Sequence, residues 1–208
     1  MFNFNVEKAA KISSNKAVKD LFIDGGVLND CRSEGYNLIF SKNECILDKN
    51  ILFNNFIEKF GEHFNKYLDR LGGGINRHDY SYKIEGDKLI GYTEEYVEFV
   101  NNGLSYYFIP NFTVNLDYNP LDFIELLKQV IDREECLQSI HYNELVDDES
   151  KIVNECGFGG DYMWRINKRE DKLLFDATGN EELTFVGKID FSFAISLNSF
   201  KLLKENLL

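Results

Sequence analysis

Residues 80–109 read YSYKIEGDKLIGYTEEYVEFVNNGLSYYFI, and their hydrophobic period of two decides the fold class. Alternating apolar side chains up to Ile84, a turn at residues 85–88 and a return run at Leu89–Tyr92 predict a β-hairpin. A second hairpin is predicted around Asn102-Gly103, because a type I′ turn needs positive φ at both central residues. Residues 93–102 also admit a short helix. The stretch as a whole predicts antiparallel sheet.

Helical periodicity lies on both sides of this stretch. Apolar side chains spaced by three and four predict a helix over about Ile51–Leu71. Asn119-Pro120 indicates the start of a second helix, since proline is favoured at the first helical position. The segment Val6–Phe22, with Ser13–Asn15 as its weakest point, and the segment Asn198–Leu207 are predicted to be helical as well.

Period-two patterning returns near the carboxyl end of the chain. Leu183–Leu197 alternates strictly, with Gly187 as the place for a bulge or bend, and Tyr162–Ile166 and Leu173–Phe175 are further strand candidates. The strands are grouped together rather than alternating one by one with helices. The sequence therefore predicts an α+β fold, with largely antiparallel sheets built from hairpins and about three to four packed helices.

The domain organisation is predicted from length and composition. A chain of 208 residues with only 2 prolines has no Pro-rich linker and is long enough to bury a core. We expect residues 1–208 to form a single compact domain. The polar stretch Val146–Asp161 is the best candidate for a long loop or a subdomain boundary near residues 146–161.

The charge balance of the chain restricts the classes of molecule that it is expected to bind. With 23 Lys and Arg against 35 Asp and Glu, the formal net charge is -12. A field of this sign opposes binding to nucleic-acid phosphates and to anionic membrane surfaces, and it attracts a basic macromolecule. The alternative is that the acidity only keeps the protein soluble.

The location is predicted from the start of the chain and from the cysteines. Residues Met1–Glu7 contain no cationic region followed by an apolar run, and no stretch approaches the ~18 apolar residues of a membrane helix. Cys31, Cys45, Cys136 and Cys156 are widely spaced and form no C-x-x-C pair. A cytoplasmic protein with reduced thiols is the expectation.

The most enzyme-like residues follow the Ile51–Leu71 helix. Gly72-Gly73-Gly74 precedes Arg77, which is able to hold an anion, and His78 beside Asp79, which is a candidate base. Phosphate-binding loops normally precede a helix rather than follow it, so these glycines are better explained as a helix stop and turn. The sequence has no motif for a metal or cofactor, and neither is predicted; no catalytic residue is assigned.

Three dense acidic clusters remain as candidate partner-binding residues. If carboxylates flank an aromatic anchor on an exposed strand, charge steers a basic partner and the tyrosine contributes affinity. A solvated face is the alternative explanation for any one cluster. The candidates are Glu94, Glu95, Tyr96 and Glu98 in the first cluster, Asp132, Glu134 and Glu135 in the second, and Asp147, Asp148 and Glu149 in the third.

Three functional hypotheses follow. The first is a non-enzymatic acidic protein that masks a basic protein partner, for example an immunity protein neutralising a nuclease toxin; this is a likeness in character, carried by no motif. The second is a small-molecule enzyme with a site near Arg77, His78 and Asp79. The third is a self-associating structural protein whose surplus aromatic residues bury a homodimer interface.

Overall fold

The fold is α+β, as the sequence predicted. The computed structural model describes residues 2–27, 32–33, 35–39, 47–71, 77–101, 104–139, 149–183 and 186–207. The helices in these ranges are α1 (Phe2–Ile23), α2 (Lys49–Leu71), α3 (Asp122–Ile131), α4 (Glu134–Ser139), α5 (Glu149–Glu155) and α6 (Phe200–Leu207). The short helices α4 and α5 are additional to the three to four predicted.

The described strands form three sheets, and all pairs except one are antiparallel. A five-stranded sheet has the order β1-β2-β10-β9-β8, a three-stranded sheet the order β3-β4-β7, and β5 pairs with β6 alone. The exception is the parallel pair β2–β10. The strands are β1 (Arg32–Ser33), β2 (Tyr36–Ile39), β3 (Ser81–Glu85), β4 (Lys88–Tyr92), β5 (Val97–Asn101), β6 (Leu104–Phe108), β7 (Phe112–Asn115), β8 (Tyr162–Arg169), β9 (Lys172–Leu183) and β10 (Gly187–Ser196).

Both hairpins of residues 80–109 are confirmed. Strands β3 and β4 pair in register from Ser81 opposite Tyr92 to Glu85 opposite Lys88. Strands β5 and β6 pair up to Asn101 opposite Leu104. The Asn102-Gly103 turn itself lies outside the described residues. Because residues 97–101 are a strand, the alternative of a short helix there is wrong.

The predicted helices are confirmed, and α1 runs unbroken through Ser13–Asn15. The hydroxyl of Ser14 donates to the Lys11 carbonyl at 2.8 Å, and the Asn15 side-chain amide donates to Asp117 at 2.7 Å. These bonds satisfy polar groups that would otherwise favour a break. Helix α3 begins at Asp122, two residues after the predicted first position at Pro120, and the Asn119 amide donates to the Gly86 carbonyl instead of capping the helix.

Two strand and loop predictions are corrected. Leu183–Leu197 is not one strand with a bulge, because Leu183 ends β9 and pairs with Gly187 at the start of β10. Gly187 has φ +73°, a left-handed value suited to the turn of a hairpin. The stretch Val146–Asp161 is not a long loop throughout, since α5 occupies Glu149–Glu155.

The prediction of reduced thiols is wrong for two cysteines. Cys136 and Cys156 form a disulfide with their Cα atoms 5.6 Å apart. The bond joins α4 to the residue that follows α5, and the 20-residue separation produces no local motif by which the sequence would reveal it. Cys31 and Cys45 lie outside the described residues.

Contacts divide the chain into two compact units. Unit 1 comprises Met1–Val18 and Ile57–Asn119, and unit 2 comprises Lys19–Phe56 and Pro120–Leu208. Residues 146–161 fall within unit 2. The single domain predicted from the sequence stays a prediction.

Each unit has its own aromatic core. In unit 1 the ring of Phe64 lies 5.1 Å from Phe60, 5.2 Å from Phe112 and 5.5 Å from Tyr80, centroid to centroid. In unit 2 the rings of Phe22, Phe123 and Phe191 stack together, and Phe193 stacks on Phe175. None of the described helices combines the length and the apolar character required to cross a bilayer.

Candidate partner-binding surface

The first acidic cluster lies in unit 1, on the approach to β5 and on β5 itself. Glu94, Glu95 and Tyr96 occupy the connection between β4 and β5, and all three side chains are exposed, Tyr96 by 66%. Glu98, on β5, is exposed as well. Each of the four side chains is therefore exposed, but only Glu98 belongs to a strand, and their joint role in binding stays a prediction.

Buried Thr93 positions this connection. Its backbone N–H donates to the Asn111 side-chain oxygen at 2.8 Å, and its hydroxyl accepts the Glu95 N–H at 3.1 Å. The second bond closes a tight turn around Glu94. Because Thr93 is only 5% exposed, these bonds form in a partly desolvated place and fix the direction in which Glu94, Glu95 and Tyr96 leave the core.

The three-stranded sheet before the connection is anchored by close packing. Gly91 on β4 lies opposite Phe112 on β7, and a Cβ atom at residue 91 would lie 2.3 Å from the Phe112 ring. Glycine is thus required for the ring to cover β4. The Tyr80 hydroxyl donates to the Pro110 carbonyl at 3.0 Å, which holds the segment between β6 and β7.

The β5–β6 hairpin presents apolar and aromatic side chains to solvent. Leu104 is 61%, Tyr106 53% and Tyr107 67% exposed, whereas Val97 at the base of the hairpin is buried. Side chains alternate between the two faces of a strand, so Tyr106 and Tyr107 point to opposite faces. Exposure of both means that both faces of β6 are open.

Glu98 and Tyr107 form a cross-strand pair on the hairpin. They are directly opposite one another in the β5–β6 register, and the Tyr107 hydroxyl donates to the Glu98 carboxylate at 3.1 Å. We use "hairpin surface" below for the set of Glu94, Glu95, Tyr96, Glu98 and Tyr107. Hydrogen bonds from the Ser105 hydroxyl and then from Tyr107 lower the pKa of Glu98, because both donors favour the ionised form of this carboxylate.

We expect the Glu98 carboxyl to report these two bonds in a pH titration. Ser105→Ala and Tyr107→Phe should each raise the pKa of Glu98 toward its ordinary value, with the larger change for Ser105→Ala, because a donor favours the ionised form. Carboxyl ¹³C NMR measures the effect. The reciprocal control is Glu98→Gln, which should lower the raised pKa of Tyr107 in an ultraviolet titration. Unchanged titration of Glu98 in both variants would contradict the described geometry.

The second acidic cluster is partly committed to internal contacts, whereas most of the third lies outside the described residues. Glu134 forms an ion pair with Lys204 and accepts a hydrogen bond from the Gln138 amide at 2.8 Å. Asp132 and Glu135 are exposed. Asp147 and Asp148 lie outside the described residues, and Glu149 begins α5. Both clusters belong to unit 2, where the disulfide links α4 to the end of α5.

The Arg77, His78 and Asp79 site forms a short 3₁₀ turn after α2. A cavity of about 460 Å³ is lined by Glu62, Asn65, Lys66, Arg77 and His78. The backbone N–H of Arg77 donates to the Asn65 side chain at 3.1 Å, and its guanidinium donates to the Glu58 carbonyl at 3.3 Å. Gly72-Gly73-Gly74 lies outside the described residues.

Local packing explains where the Arg77 side chain lies. A Cβ atom at residue 61 would lie 2.8 Å from Arg77 Cδ, so Gly61 provides the space on α2 that this side chain fills. The Tyr82 hydroxyl donates to the Arg77 carbonyl at 2.9 Å, and burial raises the Tyr82 pKa, which keeps the phenol neutral. Arg77 is thus a structural contact of α2, and His78 is the exposed member of the turn.

No protein-family model, no curated protein and no solved structure matches this chain. Within the described ranges, no group of three or more His, Cys, Asp and Glu side chains is placed to hold a metal ion.

Tyr107 is the surface residue that sequence reasoning did not identify. The signal was present, because a two-residue Asn102-Gly103 loop places residue 101 opposite 104 and, by counting outward, residue 98 opposite 107. The acidic residues favour β5 as the candidate strand, whereas the strand with the exposed aromatic side chains is β6.

Proposed function

We propose that this protein binds a basic protein partner through the hairpin surface. The supporting observation is the combination of exposed Tyr96 and Tyr107 with ionised carboxylates on a chain of net charge -12. Tyrosine is enriched among the residues that dominate binding energy at protein interfaces, and complementary charge raises association rates. The exposed tyrosines and carboxylates of unit 1 thus support a proposal that combines affinity with steering.

The mechanism is masking by charge and shape. Carboxylates of Glu94, Glu95 and Glu98 neutralise lysine and arginine side chains of the partner, while the tyrosine rings cover apolar surface beside them. If the partner's cations normally hold nucleic-acid phosphates, occupation by carboxylates blocks that site. An immunity protein that neutralises a nuclease toxin is the form of this proposal that we favour.

A charge-neutralised variant tests the proposal. The partner is captured at low salt from a lysate of the organism that makes this protein, eluted with a salt ramp, identified and purified. For the purified partner, Glu94→Gln with Glu95→Gln and Glu98→Gln should reduce the association rate constant about tenfold at low salt, because steering depends on these charges. Surface plasmon resonance between low and physiological salt measures it.

The matched control removes the same charge elsewhere. Glu170, Glu181 and Glu182 are exposed carboxylates of unit 2, and their combined change to glutamine alters the net charge equally. This control should leave association nearly unchanged. Equal losses in the two triple variants would show that net charge rather than the hairpin surface governs binding, and a salt-independent rate would contradict the proposal.

The cellular compartment of this protein limits which partners it can meet. A cytoplasmic location stays a prediction, and the Cys136–Cys156 disulfide counts against it, because cytosolic thiols are kept reduced in most organisms. Capture is therefore performed both with and without a thiol reductant.

The cavity beside His78 supports a second candidate, a site for a small molecule. Its lining combines cationic Lys66 and Arg77 with anionic Glu62, which suits a small polar molecule that carries groups of both charges. Because the Arg77 side chain already contacts α2, the small-molecule site is the weaker of the two proposals. It becomes the leading one if the capture experiment returns no basic protein at any salt concentration.

A further inference from the structure

Strand β6 differs from every other edge strand of the described sheets. The remaining edges are β1, β3, β5, β7 and β8, and each is either shorter than five residues or contains a charged residue. Proteins normally protect free edges with charge, short length or proline, since an unprotected edge pairs with other chains. Strand β6 reads LSYYF, has five residues and no charge, and its first four side chains are exposed.

The backbone of β6 has hydrogen-bonding groups that face outward at regular positions. Asn101 and Leu104 form the pair next to the two-residue loop, and that pair is hydrogen-bonded in such hairpins. Hydrogen-bonded and non-bonded pairs alternate along an antiparallel ladder. The N–H groups of Ser105 and Tyr107 therefore point away from β5, toward the side on which no described strand pairs with β6.

We propose that the basic partner adds an extended strand to the edge of β6. This inference rests on the proposed function and specifies its mode of binding. Strand addition supplies main-chain hydrogen bonds for affinity, and alternate side chains of the added strand supply specificity. A lysine or arginine opposite Tyr107 would share a face with Glu98, so the phenol ring and the carboxylate both contact the cation.

Charge selects this occupant over a second copy of the chain. Pairing of β6 with another β6 would bring together two chains that each have a net charge of -12 and each carry Glu98 beside the edge. Like charges next to one another oppose association, whereas a basic strand is attracted.

The probe is a fluorescently labelled seven-residue peptide that alternates lysine with valine between terminal threonines, and fluorescence anisotropy at low salt measures its binding. We expect Ser105→Pro to weaken binding about tenfold, because proline removes an outward N–H without removing a bond of the hairpin. Ser105→Ala is the matched control, which keeps the N–H and loses the hydroxyl together with its hydrogen bond to Glu98, as Ser105→Pro does. A peptide with glutamate in place of lysine should not bind.

Backbone methylation gives an independent test that leaves the protein unchanged. Methylating the amides of alternate peptide residues blocks one edge of the added strand, so one of the two methylated registers should lose binding and the other should retain it. Amide NMR spectra of Ser105→Pro verify that β5 and β6 remain paired.

The outcomes separate this inference from the proposed function. Failure of the basic peptide to bind, or binding that is unchanged by Ser105→Pro and by both methylated registers, overturns strand addition. If the purified partner still depends on Glu94, Glu95 and Glu98 in that case, the proposed function stands and docking is through side chains alone. A concentration-dependent mass in light scattering that Ser105→Pro abolishes overturns the inference in favour of a second copy.

Discussion

Phe64→Ala is expected to lower the free energy of unfolding of unit 1 by about 3–5 kcal/mol, the usual cost of removing a fully buried phenylalanine. Phe64 is completely buried, and three aromatic rings surround it within 5.5 Å. Its removal leaves a cavity next to Phe112, which covers Gly91 on β4. Since β4 leads directly into Glu94 and Glu95, loss of this packing also releases the hairpin surface.

Two probes are needed to measure the effect, because the single tryptophan, Trp164, belongs to unit 2. Urea unfolding is followed by far-ultraviolet circular dichroism, which reports both units, and by Trp164 fluorescence, which reports unit 2. Tyr106→Ala is the matched control, as it removes an exposed aromatic ring from the same unit and should leave the transition almost unchanged. A loss below about 1 kcal/mol for Phe64→Ala would contradict close packing of this cluster.

Removal of the Cys136–Cys156 disulfide is expected to cost about 3 kcal/mol, the chain-entropy value for a loop of this length. In the folded protein, the residues around the disulfide have other contacts that do not depend on the bond. The Arg133 guanidinium donates to the Gly157 carbonyl at 3.1 and 3.3 Å and lies 4.9 Å from the centroid of the Phe158 ring. The destabilisation should therefore arise mainly from a less restricted unfolded chain.

The double variant Cys136→Ala with Cys156→Ala tests this by Trp164 fluorescence. Phe158 contacts Trp164 with ring centroids 4.9 Å apart, so an unchanged folded-state emission would show that the residues around the disulfide keep their structure. The control variant Cys31→Ser with Cys45→Ser leaves Cys136 and Cys156 as the only cysteines in the sequence. Addition of dithiothreitol to this control should shift the unfolding midpoint as the double variant does, and a midpoint insensitive to dithiothreitol would contradict the disulfide.

The elements that local patterns encode were predictable from the sequence. Helix α2 was evident because its buried side chains recur every four residues from Leu52 to Leu68, and the β5–β6 hairpin was evident because Asn102-Gly103 is suited to its turn. The first acidic cluster was likewise identified. The residue opposite Glu98 in the hairpin is Tyr107. This pairing follows from the strand register, so predicting it requires counting residue pairs outward from the turn.

Features that depend on distant residues were not predictable. Cys136 on α4 and Cys156 after α5 approach each other only in the folded chain, and nothing near either cysteine in the sequence indicates this. The same holds for the pairing of β2 with β10, for which short apolar runs give no direction or partner. Helix α5 was missed because its seven residues are too few to establish a helical period.

The parallel pairing of β2 with β10 has a consequence for synthesis on the ribosome. Leu38 and Ala194 are neighbours in the sheet but are 156 positions apart in the chain. All of the segments of unit 1 have been synthesised once Asn119 is added, whereas β2 has no partner on its inner side until β10 has left the exit tunnel. Long-range strand pairing is slow and leaves edges open to wrong association. The closing of the five-stranded sheet around β2 is thus the late step in the maturation of the nascent chain, and β2 is the segment that a chaperone would have to shield.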